Sequence, residues 1–465
     1  MPLSSKFSNL RHDLPASIVV FLVALPLCLG IANASGVDPL AGLLSGIIGG
    51  LVVAVLSGSP LSVSGPAAGL VVIVVEGIAE VGSYGAFLTA VVLAGALQFV
   101  FGLARAGRFA AYVPSAVVSG MLAAIGLLLV IKQAPQALGL AAANAPGFLA
   151  TPFGAVSPAA IAITLASAAL LAGWDRPALR RFALVRAVPA PLAIVALGIA
   201  TTLALDCFAP SYAPPLQHRV NLPALGSWQD VQDALAWPQI GALADPAVWR
   251  LTLTLAIVAS LETLLSLEAV ERLDPARRRA PPDRELKAQG IGNLFAGMLG
   301  ALPITAVIVR SSANVHAGAR SRHSAIFHGV LLLASMFALT EVINLIPLAC
   351  LATILIFTGI KLAKPALFVA AARRGLERFV PFVATIAGVL ATDLLIGILI
   401  GIGACFAMGV RAGLRRPFTI ARHDDHVLLS FRKDVSFLAK VGLAQSLARI
   451  PDRSIVLVDT SRADF

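Results

Sequence analysis

Apolar residues fall in blocks along this chain, separated by short polar or basic stretches. Fourteen blocks can be marked in order: Ala16–Ala34, Leu40–Leu56, Pro66–Val75, Ala86–Leu103, Ser115–Ile131, Pro158–Ala172, Pro189–Leu205, Leu251–Val270, Ala288–Leu302, Ser311–Ala319, Ala325–Leu339, Ile346–Ile360, Val380–Ala391 and Leu394–Val410. Most approach the length of about 20 residues that a helix needs to cross a bilayer. Runs of that length point to helices rather than a barrel. The pattern predicts an all-α polytopic membrane protein over residues 1–415 with fourteen transmembrane segments. A long polar, Pro-rich connection, Phe208–Pro246, divides the seventh block from the eighth.

Composition agrees. Hydrophobic residues make up 58% of the 465 and charged residues only 13%, against about 25% in soluble proteins. The net charge of +11 raises nucleic acid as a partner, but the placement of the basic residues argues against it. With the N-terminus inside, the inner connections hold Arg105 and Arg108, then Arg176, Arg180, Arg181 and Arg186, then Arg272, Arg277, Arg278 and Arg279. Arg320 and Arg322 follow, then Lys361, Lys364, Arg373, Arg374 and Arg378, and finally Arg411, Arg415 and Arg416. The connection after block seven carries Arg219 beside Asp206, Asp230 and Asp233 and reads as external. Deleting any one block would put several basic clusters outside, so the positive-inside rule supports fourteen spans with both termini cytoplasmic. The first block is too long, and too well followed by others, for a cleaved signal peptide. Cys28, Cys207, Cys350 and Cys405 match no metal or disulfide spacing.

Blocks three and ten are short, and each is third in its set of seven. Seven is odd, so the second set would be inserted upside down. Paired interrupted helices in corresponding positions are the sequence mark of a transporter substrate site. Each follows a run that can be extended, Pro60–Gly65 before the third and Ile304–Val309 before the tenth. Pro66 suits a helix N1 position, and Gly65, Ala67, Ala68 and Gly69 leave room for an anion against the backbone.

Arg310 stands between apolar blocks, where a charge costs about 2.5–3.5 kcal/mol on insertion scales. Ser311, Ser312 and Asn314 read as a helix start with capping oxygens. A helix beginning in mid-membrane would aim its positive end and free amides at the guanidinium, which makes half of an anion site. The alternative is that Arg310 pairs with a carboxylate inside the bundle. Glu262, in block eight with Ser266 one helical turn away, is the candidate partner; a static ion pair and a coupling role both fit it. Glu76 lies near the outer end of block three, and the histidines, His316 and His328 among them, form no metal constellation.

Three stretches carry a resemblance to the sulfate permease (SulP) family of anion transporters and exchangers. Asp13-Leu14-Pro15 through Pro26-Leu27-Cys28-Leu29-Gly30-Ile31-Ala32 resembles the family's first helix, and Ser64-Gly65-Pro66 the start of its third. Gln289-Gly290-Ile291-Gly292-Asn293, then Arg310-Ser311, Asn314 and Ala317-Gly318-Ala319, resemble its ninth and tenth. The resemblance implies a seven-plus-seven inverted repeat, with a core domain (13–104 and 248–340), a gate domain (105–207 and 341–415), and short strands before half-helices three and ten. It places the anion between those helix starts, with Leu27, Ile31, Ala67, Val309, Arg310 and Ser311 around it. Cyanobacterial bicarbonate transporters of the family have Asp where Glu262 stands and bind sodium there. Plant sulfate transporters have Glu and use it for proton coupling, so the coupling ion, Na+ or H+, stays open at Glu262 and Ser266.

After Arg416 the pattern turns soluble. Strands are expected at His426–Phe431, Val435–Leu438 and Ser454–Asp459, with a helix at Leu443–Ile450. Residues 416–465 resemble the opening of the family's STAS domain and stop before its sheet could close.

The functional expectation is a secondary active transporter of small inorganic anions in a bacterial inner membrane. Bicarbonate is favoured over sulfate, coupling is to Na+ or H+, the motion is of elevator type, and the assembly a homodimer. An anion exchanger or channel is the alternative. A nucleobase permease would share the architecture, but those sites use a carboxylate for base edges, and Arg310 at the tenth helix start speaks against it. No nucleophile–base or metal set points to an enzyme, and no cofactor is expected beyond Na+ as a coupling ion.

Overall fold

A computed structural model describes residues 3–108, 114–140, 157–174, 188–210, 213–414, 418–423, 426–431 and 455–459, together with residues 176, 181 and 447. Every apolar block overlaps a helix. The first seven are α1 (Leu3–Ala34), α2 (Pro39–Leu56, with a π-helical turn at Gly49–Val53), α3 (Val71–Val81), α4 (Tyr84–Leu103), α5 (Ser115–Ala137), α6 (Pro158–Trp174) and α7 (Ala190–Phe208). The second seven are α8 (Pro246–Leu273), α9 (Pro282–Met298), α10 (Ile308–His316), α11 (His323–Ala338), α12 (Leu348–Leu362), α13 (Leu376–Ala391) and α14 (Leu394–Leu414). By length and composition, eight helical stretches among the described residues are long and apolar enough to cross a membrane, and the helices of blocks six and eleven are shorter apolar ones. The Pro-rich connection is partly helical: Ser227 caps Trp228–Ala234 in a reciprocal capping box with Asp230.

The two interrupted blocks come together as expected, with corrections of register. β1 (Ser64–Pro66) and β2 (Ile304–Ala306) pair antiparallel, Ser64 opposite Ala306 and Pro66 opposite Ile304. Pro66 is therefore the end of a strand and not a helix N1 residue; a single 3-10 turn, Ala68–Leu70, leads from it into α3. α10 begins at Ile308, three residues before the expected start. The serines do not cap it, because Ser311 is already inside the first turn and its hydroxyl is used elsewhere.

A polar ladder on α9 fixes this strand pair. Glu285, Gln289 and Asn293 are four residues apart and share one helical face. Glu285 accepts hydrogen bonds from Ser57 Oγ and Gln289 Nε2. Gln289 Nε2 also donates to Ser64 Oγ at 2.8 Å. Asn293 accepts from Ile304 N at 2.6 Å and donates to Ile304 O at 3.0 Å and to Gln98 Oε1 at 2.7 Å. Pro66, opposite Ile304, has no N–H to offer, so the side-chain amide supplies the donor. Gln98 continues to Ser260 on α8 at 3.2 Å, and Thr263 of α8 accepts from Ala306 N at 3.3 Å. α9 and α4 approach closely because Gly95 and Gly290 face each other: a Cβ at either would lie 2.5–2.7 Å from backbone of the other helix.

By contacts the chain divides into two compact units, residues 1–112 with 125–363, and residues 113–124 with 364–465. The first holds the strand pair and the ladder. In the second, α13 and α14 form a hairpin closed at Gly388 and Gly397. A three-stranded sheet, in the order β3 (Phe418–His423), β4 (His426–Phe431) and β5 (Ile455–Asp459), follows. β4 runs antiparallel to β3 and parallel to β5. β4 and β5 match the expected strands and β3 is an addition. The expected strand at Val435–Leu438 lies outside the described residues, as does the helix at Leu443–Ile450 apart from Leu447.

Asn293→Ala should leave both Ile304 backbone groups without partners, at about 1–3 kcal/mol for each buried orphan. Thermal unfolding in detergent should show a clear drop; an unchanged midpoint would mean that the strand pair does not rely on the ladder.

Candidate functional site

Arg310 lies in the first turn of α10 and is 0% exposed, the largest fully buried side chain among the described residues. Its guanidinium runs behind β1. A Cβ on Gly65 would lie 2.2 Å from Nη1, so only glycine leaves the room that this side chain occupies. A Cβ on Gly46 of α2 would stand 3.9 Å from Nη1 and 2.8 Å from Cys28 Sγ of α1, which places the thiol beside the guanidinium. His328 of α11, fully buried, is within electrostatic reach. Among the described residues no oxygen acceptor meets Nε, Nη1 or Nη2.

Glu262 occupies the matching place on the other helix start. A Cβ on Gly69 would lie 2.8 Å from Oε1 and 3.0 Å from Oε2, so the carboxylate rests on the 3-10 turn leading into α3. The positive end of a helix favours a carboxylate there. Glu262 is partly buried and its Oε2 has no hydrogen-bond partner among the described residues. Glu262 and Arg310 form no ion pair in this structure; each sits against its own glycine of the β1 stretch. Ser266, a turn along α8, is buried. Among the described residues no group of three His, Cys, Asp or Glu could hold a metal ion.

The other expected residues divide between support and lining. Ser311 Oγ accepts from Val63 N at 2.9 Å and donates to Val307 O at 2.8 Å, so it fastens α10 to the approach of β1. Asn314 Nδ2 does the same to Leu61 O at 3.0 Å. Gly65, Pro66 and Ala67 are buried in the strand pair and the turn after it; Ala68 and Ser312 are partly buried. Val307 and Ala67, the residues at the two helix starts, offer no side-chain cap, which leaves backbone amides for a ligand. Leu27 and Val309 line one cavity of about 150 Å³ together with Val23. Ile31 is buried and does not line it.

The same cavity has lining residues that the hydropathy pattern does not point to. Phe357, Thr358 and Lys361 of α12 line it, with Lys361 Nζ 4.6 Å from the centroid of the Phe357 ring. Lys361 had been placed in a connecting loop; it is in the last turn of α12. The available signal was a lysine four residues after an aromatic at the end of an apolar block, a spacing that puts both on one face.

Residues 10–385 match the model of the sulfate permease family. The chain belongs to the sulfate permease family. Its relatives include the putative sulfate transporter YvdB of Bacillus subtilis, 27% identical over 92% of this chain and 78% of that protein. The bicarbonate transporter BicA of Picosynechococcus is 26% identical over 76% of this chain and 62% of that protein. Among solved structures, the transmembrane domain of a cyanobacterial BicA aligns with a TM-score of 0.69 at 24% identity, over 85% of this chain and 98% of that one. The murine anion transporter Slc26a9 in its inward-facing state aligns at 0.72 and 14% identity, over 98% of this chain and 82% of that one. The helical fold is thus that of this permease family.

Gly65→Ala should cost about 1–3 kcal/mol of stability by overpacking against the guanidinium, and much less in an Arg310→Ala background. A double-mutant cycle on thermal unfolding measures this coupling. Strictly additive penalties would place the guanidinium elsewhere.

Proposed function

We propose that this permease carries small inorganic anions by secondary active transport, bicarbonate in preference to sulfate. The observation that supports it most is Arg310. A buried guanidinium with no carboxylate or carbonyl partner among the described residues is costly, and an anion arriving at the paired helix starts is the natural compensation. Family membership and the names of BicA and YvdB agree with an oxyanion substrate. The fourteen helices are proposed to cross the membrane as an inverted repeat of seven plus seven with both termini cytoplasmic. The core domain (13–104 and 248–340) is proposed to carry the anion past the gate in an elevator-type motion, in a homodimer.

Glu262 is the proposed coupling group. It bears the carboxylate on the third helix start, as Arg310 bears the guanidinium behind the strand that precedes it. Na+ with Ser266, or a proton on Glu262, would balance its charge, and the free energy of coupling is shared reciprocally with the anion. Exchange of one anion for another is the second reading, favoured by the Lys361 side chain in the cavity that Val309 also lines. A guanidinium speaks against nucleobase transport.

Uptake of labelled bicarbonate and sulfate into proteoliposomes, with sodium and proton gradients imposed separately, tests the whole reading. Arg310→Ala should weaken apparent anion affinity by roughly 10–100-fold, the equivalent of about 1.5–3 kcal/mol for a charged hydrogen bond. Arg310→Lys should keep part of it, because charge survives without the planar fork. Wild-type affinity in the Ala variant would remove Arg310 from the site. Glu262→Gln should still bind anion and exchange it, yet fail to accumulate it against a gradient. Undiminished accumulation would reduce Glu262 to a structural residue.

A further inference from the structure

The chain carries a second basic site, away from the strand pair, where α8 ends. α8 contains a stretch long and apolar enough to cross a membrane and finishes at Leu273. A cleft of about 980 Å³ opens at that end. Its floor is Leu264 and Leu267, both buried and packed with Ala280 and Leu286. Its rim is Arg272, Arg277 and Arg279, all exposed.

The rim is built rather than loose. Asp274, buried at the end of α8, accepts hydrogen bonds from the backbone of Ala276 and Arg278 and from the Arg278 guanidinium, at 2.7–3.2 Å. Burial works against its charge, and these donors outweigh burial, holding the carboxyl below the usual carboxylate range. Arg278 also donates to Arg320 O at 2.9 Å. Arg278 is thus turned into the turn, and its neighbours Arg277 and Arg279 line the cleft. Arg277 is held at φ +48°, a left-handed conformation that a long side chain rarely adopts. The two acidic residues of the cleft are engaged: Glu268 pairs with Arg272, and Glu271 accepts from Ala280 N at 2.7 Å. Among the described residues no carboxylate pairs with Arg277 or Arg279.

We propose that this cleft binds an anionic phospholipid, its phosphate on Arg277 and Arg279 and an acyl chain along Leu264 and Leu267. The cleft itself selects an amphiphile. Its floor belongs to the membrane-crossing stretch of α8, and its cations begin where that stretch ends, at the level of the headgroups. Basic pockets at the ends of membrane helices take phospholipid headgroups on this principle. A free phosphate would satisfy the arginines and leave the leucine floor unused.

The test is native mass spectrometry of the full chain in detergent, titrated with phosphatidylglycerol or phosphatidylcholine, and separately with inorganic phosphate as competitor. Phosphatidylglycerol should bind in preference to phosphatidylcholine. Arg277→Ala with Arg279→Ala should weaken it by about fivefold per arginine, about 25-fold together. The same double change at Arg373 and Arg374, exposed in the other unit, should have no such effect. Arg277→Gly guards against misfolding: glycine suits the left-handed backbone, so thermal stability should hold or rise while phosphatidylglycerol binding still falls about fivefold. Equal binding of phosphatidylglycerol by wild type and both cleft variants would overturn the proposal. So would displacement of the lipid by inorganic phosphate at matching concentrations, which would assign the arginines to a soluble anion.

Discussion

A guanidinium buried with no acid beside it among the described residues is the condition around which the centre of this fold is arranged. Removing a charge from water costs several kcal/mol unless something compensates it. Here the protein supplies space and dipoles rather than an opposing charge. Gly65 yields its side-chain volume to Nη1, Gly46 leaves room for Cys28 Sγ and Leu332 beside it, and the uncapped starts of α10 and of the turn before α3 converge on the same strands. A carboxylate within reach would neutralise the centre permanently. Glu262 instead rests on Gly69, four residues further along, so the positive charge is kept available.

Much of this could be read in the residues. Charge at membrane depth singled out Arg310 and Glu262, and the paired short blocks foretold the strand pair and the two broken helices. Errors arose where one residue type serves two purposes. Ser311 and Asn314 look like caps, but their side chains bond to residues 61–63, a stretch about 250 positions away that local pattern cannot reveal. Gly65 and Gly69 read as room for a ligand, yet that room is filled by Arg310 and Glu262. Both readings need small residues, and only coordinates say which side chain moves in.

Lys361 shows a different limit. Its charge was assigned by its place in the chain, after an apolar block, and that counting is blind to the last turn of a helix. A long side chain there can bend back over Phe357 and reach a cavity. β3 was missed for a related reason: Phe418–His423 alternates like a strand but follows directly on α14, where the helical pattern fades.

The ladder on α9 has a mechanical consequence. Asn293 grips both backbone groups of Ile304, Gln289 grips Ser64, and Gln98 passes the connection to α8. Pulling the two broken helices apart would sever all of these at once in a medium that offers no water to replace them. The hinge of any large motion is thereby excluded from this place. The strands, both helix starts and the charges they carry are tied into one rigid unit, so strain on either broken helix is passed to α8 and α9 and not absorbed between them.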